Sequence, residues 1–185
     1  MPSGHAYGKS LRTVKTCVGS EFCRFGTQDS TQMGIDLEKV LFGMWSPAKV
    51  KLAVSGCPRN CAESGIKDVG IIGVDSGWEL YIGGNGGIKT EVAEFFCKVK
   101  TREEVMAYSG AFLQLYREEA FYLERTVHFL QRVGMDYLKQ RVLQDEVGRS
   151  ELYARLRFAL SFEQDPWAER YGKGVAQHEF APLTV

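Results

Sequence analysis

The sequence predicts an α+β fold: a small mixed β-sheet of about five strands with flanking helices, followed by a mostly helical C-terminal region. Three observations predict it. Short β-rich runs bounded by Gly, Asp and Lys crowd residues 11–100. A single amphipathic run at helical spacing interrupts them. Beyond residue 100 the pattern turns helical, and no proline occurs between Thr101 and Gly134. The expected organisation is a flexible leader over 1–10, an α+β unit over 11–100 and a helical extension over 101–185 packed on it.

The elements follow in order. "SLRTVKTCVG" reads as a short strand ending at Cys17, with Thr13, Val14 and Thr16 favouring β and Gly19 closing it. From Thr27 to Phe42 the residues Met33, Leu37, Val40 and Leu41 lie at helical spacing, behind a cap at Asp29 or Ser30. Pro47 falls in the next turn. "KVKLAVSG" is the clearest strand: Val50, Leu52 and Val54 alternate with Lys49, Lys51 and Ala53 until Ser55-Gly56 ends it. "DVGIIGVDSG", "GWELYIGGNGG" and "EFFCKVK" are three further β-rich runs, with Asp75-Ser76-Gly77 as a hairpin connection.

Thr101 followed by Glu104 has the form of a capping box. Phe112, Leu115, Tyr116, Leu123, Val127 and Leu130 then form an apolar stripe, read as one amphipathic helix or two in sequence. "MDYLKQRVLQD" and "SELYARLRFALSFEQD" extend the helical region, with Gly134 and Gly148 as stops. "PWAERYGKGVAQHEFAPLTV" is rich in Gly and Pro and is expected to wrap a surface or lie partly loose.

At 185 residues the chain can bury a full core without disulfides or metals to support it. The net charge is zero, so nothing points to nucleic acid or an anionic membrane surface. Residues 1–61 carry eight Lys/Arg against four Asp/Glu, a net +4, which suits an anionic ligand on that half. No apolar run reaches ~18 residues, as a membrane-spanning helix requires. "MPSGHAYGKS" lacks the apolar stretch of a secretory signal. These features predict a cytoplasmic chain whose thiols stay reduced.

The five cysteines are Cys17, Cys23, Cys57, Cys61 and Cys97. Cys17 and Cys23 are separated by five residues in "CVGSEFC", and Cys57 and Cys61 by three in "CPRNC". Each pair follows a predicted strand. Neighbouring strand ends would bring the two loops together, and four converging thiolates can hold a [4Fe–4S] cluster. The spacing alone also leaves zinc and purely structural cysteines open, although a five-residue gap fits a zinc turn poorly. Gly19, Gly26, Gly56 and Gly65 would let backbone approach a bulky ligand, or simply make turns. Cys97, in an apolar run, reads as a small buried hydrophobe. His5, His128 and His178 have no second ligand at metal spacing and are read as surface or packing residues.

The double motif, with "GCPRNC" as its second half, resembles the siroheme-dependent nitrite and sulfite reductases. "RTVKTCVGSEFCRFGTQDST", "DVGIIGVDSGWELYIGGNGG", "AFLQLYREEAFYLERTVHFLQRVG" and "DPWAER" are similar, in particular, to the C-terminal part of the large subunit of assimilatory NAD(P)H-dependent nitrite reductases. The resemblance runs from about Ser3 to Leu183. It implies that Cys17, Cys23, Cys57 and Cys61 ligate one [4Fe–4S] cluster and that Cys61 also bridges it to the siroheme iron.

The resemblance further implies a six-electron reduction of nitrite to ammonia, with sulfite as the alternative anion. Siroheme carboxylates and nitrite both call for cations, for which Arg24 and Arg59 are the local candidates, with Asn60 and Asn85 as polar ones. Sulfite reductases commonly carry Asn-Gly where this chain has Arg59-Asn60, which leaves that position's role open. No dinucleotide fingerprint occurs here, since "GGNGG" is a loop. The chain is therefore expected to be a C-terminal fragment, inactive alone. Its FAD and NAD(P)H modules would lie on the N-terminal remainder of the large subunit, with a small subunit as a further partner. A cofactor-free docking module is the competing expectation from another class.

Overall fold

The structure is a computed structural model and describes residues 10–162. Residues 1–9 of the expected leader, the Gly- and Pro-rich tail, His5, His178 and "DPWAER" lie outside the described residues, while Ser10 is buried and bridged to Trp45. Five strands form one mixed sheet in the order β1-β2-β3-β4-β5. These are β1 (Lys15–Thr16), β2 (Leu52–Ser55), β3 (Val69–Val74), β4 (Gly77–Ile82) and β5 (Glu94–Val99). β1, β2 and β3 run parallel, and β3, β4 and β5 run antiparallel. Asp75-Ser76 makes the β3–β4 turn, as its composition predicts.

One face of the sheet is apolar by register. Leu52, Val69 and Ile82 align across three strands, as do Val54, Ile71 and Leu80, all at most 1% exposed. Helix α2 (Ser30–Leu41) brings Met33, Leu37 and Leu41 to the same core, each four residues from the next. Asp29 caps α2 by accepting from the Gln32 backbone N–H. Near the middle of the opposite face stand Ala53, Gly70 and Tyr81. A Cβ on Gly70 would lie 2.0 Å from the Ser64 carbonyl oxygen, so the chain around the helical turn Ser64–Ile66 rests directly on β3.

The helical region follows the sheet. Thr101 and Glu104 form the expected capping box at the start of α3 (Arg102–Glu119). The stripe beyond it divides into α3 and α4 (Thr126–Val133), separated by an exposed turn. Leu123 lies in that turn at φ 66°, 58% exposed, and not in the apolar stripe. Its backbone N–H donates to Pro47 O, which fixes the turn against the loop after α2. Gly134, at φ 84°, ends α4 and leads into α5 (Met135–Lys139), which widens into a π turn over Gln140–Gln144.

Gly148 does not stop a helix. It lies in the first turn of α6 (Glu146–Leu160), where its N–H satisfies the capping carboxylate of Asp145. Helix α6 packs Leu152 and Leu156 into the same core as α3, and Arg155 pairs with Glu118 across the two helices.

One polar contact ties this helical region to the sheet. Asp68, 1% exposed, accepts two hydrogen bonds from Arg125 at 3.0 and 2.9 Å and one from the Lys51 N–H at 2.8 Å. The Thr126 hydroxyl donates to it as well. Burial pushes the Asp68 carboxyl up, while Arg125, Thr126 and the Lys51 N–H oppose that shift. Removing one partner of such a pair leaves a charge stranded in low dielectric. Arg125→Met is therefore expected to lower stability by about 3–5 kcal/mol, read from the urea unfolding midpoint with an unchanged slope.

Candidate functional site

The parallel pairing of β1 with β2 sets Lys15 beside Ala53 and Thr16 beside Val54. Both strands then end at the same border of the sheet, and Cys17 and Cys57 follow those ends. The Cys17 N–H continues the ladder to Val54 O at 3.2 Å. The chain next makes a four-residue helix, α1 (Gly19–Phe22), which the sequence reading does not foresee. Cys23 closes α1 by donating its N–H to Gly19 O at 3.0 Å.

Gly56 joins this first loop to the second. Its carbonyl accepts from Thr27 N at 2.8 Å, Gln28 N at 3.0 Å and Thr27 Oγ1 at 2.9 Å. Its N–H donates to Cys17 Sγ at 3.1 Å. A Cβ at Gly56 would approach Gln28 O and Gly19 Cα to 2.8 Å each. Gly19 itself sits at φ +62°, with its missing Cβ 2.7 Å from Ser30 N. These two glycines are thus required by close backbone approach, beyond the ordinary glycine content of turns.

The second loop is braced from within. Asn60 adopts φ 56°, and its Oδ1 accepts from Gly65 N at 3.2 Å and from Ser55 Oγ at 3.4 Å. Ser55 Oγ also accepts from Ala62 N and pairs with Ser64 Oγ at 2.9 Å. Asn60 is placed as a brace of the loop, its amide oxygen turned inward. Glu63 joins the loop to β1 through Lys15 at 2.9 Å and to Lys67 at 3.0 Å. Those two ammonium groups hold its carboxyl down at about 2, below the ordinary value of 4.5.

The four motif cysteines differ in access. Cys57 is buried, Cys17 and Cys23 are half-buried, and Cys61 is exposed. Burial raises the Cys17 thiol pKa, but the Ser30 hydroxyl and the Gly56 and Gly19 backbone outweigh it and leave it below the ordinary thiol value. Cys97 is apart from them, on β5, where burial pushes its thiol up to about 12. His128 is exposed on α4.

Arg24 and Arg59 come together, one from each loop, on a single ring. The Arg59 guanidinium lies 3.9 Å from the Phe25 centroid and that of Arg24 4.5 Å from it. Neither makes an ion pair among the described residues. Val18, Phe22 and Phe25, at 54%, 75% and 43% exposure, leave apolar surface in and beside the first cysteine loop. Sequence reading missed this feature, although the apolar letters inside "CVGSEFCRF" carried its signal. Asn85 lies in the turn after β4, paired with Glu91, and its Nδ2 donates to Lys89 O at 2.7 Å. That turn packs beside Ile66 and Lys67, at the exit of the second loop.

Among the described residues no three His, Cys, Asp or Glu side chains gather as ligands of one ion. A cubane cluster asks for something else: each of its irons takes its own thiolate, so the sulfurs stand apart around a larger volume. Two loops joined through glycine backbone, with a backbone N–H already on one sulfur, fit that group. The exposed Cys61, the apolar surface and the two guanidiniums without acidic partners fit a flat, carboxylate-bearing macrocycle beside it. Gly56→Ala is expected to destabilise the chain by about 1–3 kcal/mol through overpacking. Urea unfolding checks this, and the same substitution should increase alkylation of Cys17 by a neutral thiol reagent as the loops separate.

The comparisons agree with the geometry. Residues 7–150 match the family model described as the nitrite and sulphite reductase 4Fe-4S domain. The chain is 60% identical over 169 residues to the nitrite reductase [NAD(P)H] of Bacillus subtilis (strain 168), covering 91% of this chain and 21% of that protein. It is 42% identical over 184 residues to the nitrite reductase (NADH) large subunit of Escherichia coli (strain K12), covering 96% and 21%. The chain thus spans about a fifth of the length of these relatives. An assimilatory-type sulfite reductase of Nitratidesulfovibrio vulgaris is more distant, at 34% identity over 140 residues, covering 76% of this chain and 64% of that protein. In fold it is similar to dissimilatory sulfite reductase I, with a TM-score of 0.67 at 16% identity over 74% of this chain and 53% of that one. It is also similar to the NirA protein of Mycobacterium tuberculosis, with a TM-score of 0.65 at 21% identity over 80% and 28%. The chain belongs to the nitrite and sulphite reductase 4Fe-4S domain family.

Proposed function

We propose that this chain is the [4Fe–4S]- and siroheme-holding part of an NAD(P)H-dependent assimilatory nitrite reductase, which reduces nitrite to ammonia with six electrons. One observation carries the reading: two cysteine loops are joined through the Gly56 peptide at one sheet border, with Cys61 left exposed. The identity to nitrite reductases, higher than to the sulfite reductase, supports nitrite over sulfite as the substrate.

In this reading Cys17, Cys23, Cys57 and Cys61 would hold the cluster through their thiolates, and Cys61 would also help to hold the siroheme. The bound cofactors would supply single-electron storage and delivery to the substrate. The chain's own residues position and tune. Gly56 N–H and Ser30 lower the basicity of the Cys17 sulfur. Arg24 and Arg59 hold two positive charges on the Phe25 ring, ready for a carboxylate or a small anion. Asn60 keeps the turn before Cys61 in its left-handed conformation. Asn85 serves its own turn and shapes the border of the second loop.

FAD and NAD(P)H would be carried by the rest of the parent chain, with a small subunit as a further partner. Without them the fragment turns over no nitrite. The reaction belongs in the cytoplasm, where unbound thiols stay reduced. No helix among the described residues is long and apolar enough to cross a membrane.

Anaerobic loading of the chain with ferrous iron and sulfide tests the reading. It predicts four irons per chain, broad visible absorbance, and loss of most of that iron in each of Cys17→Ser, Cys23→Ser, Cys57→Ser and Cys61→Ser, but not in Cys97→Ser. One equivalent of zinc taken up in place of iron would contradict it. Nitrite turnover by the parent enzyme, lost when the same cysteines are changed, tests the substrate.

A further inference from the structure

Cys17 has more hydrogen-bonding partners than a bare ligand needs, and they compete. Ser30 is fully buried at the first turn of α2, where Asp29 fixes the helix start. Its Oγ lies 3.2 Å from Cys17 Sγ and 2.9 Å from Cys17 O. Thr31 Oγ1, one residue on, stands 3.4 Å from the same carbonyl. A hydroxyl carries a single hydrogen. With Cys17 as a free thiol both contacts of Ser30 are filled, because the S–H can donate to Ser30 Oγ while Ser30 O–H donates to the carbonyl. A thiolate on iron has no hydrogen to give. The sulfur contact is then filled only if the Ser30 hydroxyl turns from oxygen to sulfur, and Thr31 is in place to keep the abandoned carbonyl partnered.

Resting on the assignment of Cys17 as a cluster ligand, we propose that Ser30 is a positioning residue that sets the cluster's reduction potential. Its hydroxyl becomes a second donor to the Cys17 sulfur beside the Gly56 N–H, with Thr31 as the substitute donor that releases it. No bond is made or broken in this step; one O–H rotates. A donor to a cluster sulfur favours the reduced, more negative cluster. Losing it must therefore lower the potential.

The test is a redox titration of the full chain loaded with ferrous iron and sulfide. Ser30→Ala is expected to keep its four irons and to lower the midpoint by a shift equivalent to roughly a tenfold change in the one-electron equilibrium, about 59 mV. Thr31→Val should move it the same way by less, since the unpartnered carbonyl then competes with the sulfur for the Ser30 hydroxyl. Ser30→Thr, which keeps the hydroxyl, should restore the parent value. A Ser30→Ala midpoint equal to the parent's, with iron intact, overturns the role of Ser30 alone. A Cys17→Ser chain that retains full iron and an unchanged spectrum overturns the ligand assignment, and the role of Ser30 with it. If Ser30→Ala does not fold, Thr31→Val decides: no downward shift there overturns the proposal.

Discussion

The Gly56 peptide is the constraint on which the rest of the site depends. Its carbonyl gathers three donors from Thr27 and Gln28, and its N–H points at Cys17 Sγ. A buried carbonyl with that many partners is expensive to release, since each lost bond strands a donor as well. One peptide therefore holds two loops that lie about forty residues apart in the chain, at a strand end where neither loop makes a ladder of its own. The parallel sheet delivers the loops to one border; Gly56 fixes their distance. Absence of a side chain there is what allows backbone to lie on backbone at Gly19.

A second consequence concerns where rigidity is placed. The buried Asp68–Arg125 pair ties the helical region to the start of β3, and the capping box at Thr101 fixes the start of α3 directly after β5. The cysteine loops lie beyond the strand ends, braced by Ser55, Asn60 and the Glu63 ion pairs. Core and site thus draw on separate interactions: apolar burial for one, backbone and hydroxyl contacts for the other. Such a division lets the site keep exposed apolar surface at Val18 and Phe22 without disturbing the core.

Much of the fold was legible because period and punctuation agreed. Five β-rich runs, the Asp75-Ser76-Gly77 turn, the Asp29 cap and the Thr101 box all appear where the letters put them. The misses have physical causes. Helix α1 is four residues long and starts at a glycine in positive φ, so no propensity window can detect it. Gly148 looked like a stop, but the Asp145 carboxylate made it part of a helix start. Leu123 had the right spacing and the wrong conformation, since a left-handed residue at a turn cannot continue a stripe.

In the site, the cysteine spacing spoke for two loops, whereas the Arg59–Phe25–Arg24 contact and the Ser30 relation to Cys17 join residues whose meeting only the folded chain specifies. The central claim is that the two loops are joined before any cofactor arrives. Hydrogen exchange in the iron-free chain tests it directly. The account predicts that the Thr27, Gln28 and Gly56 amides exchange as slowly as the strand amides of Ala53 and Val54. Exchange of those three at the rate of an open loop, with the strand still protected, would contradict it.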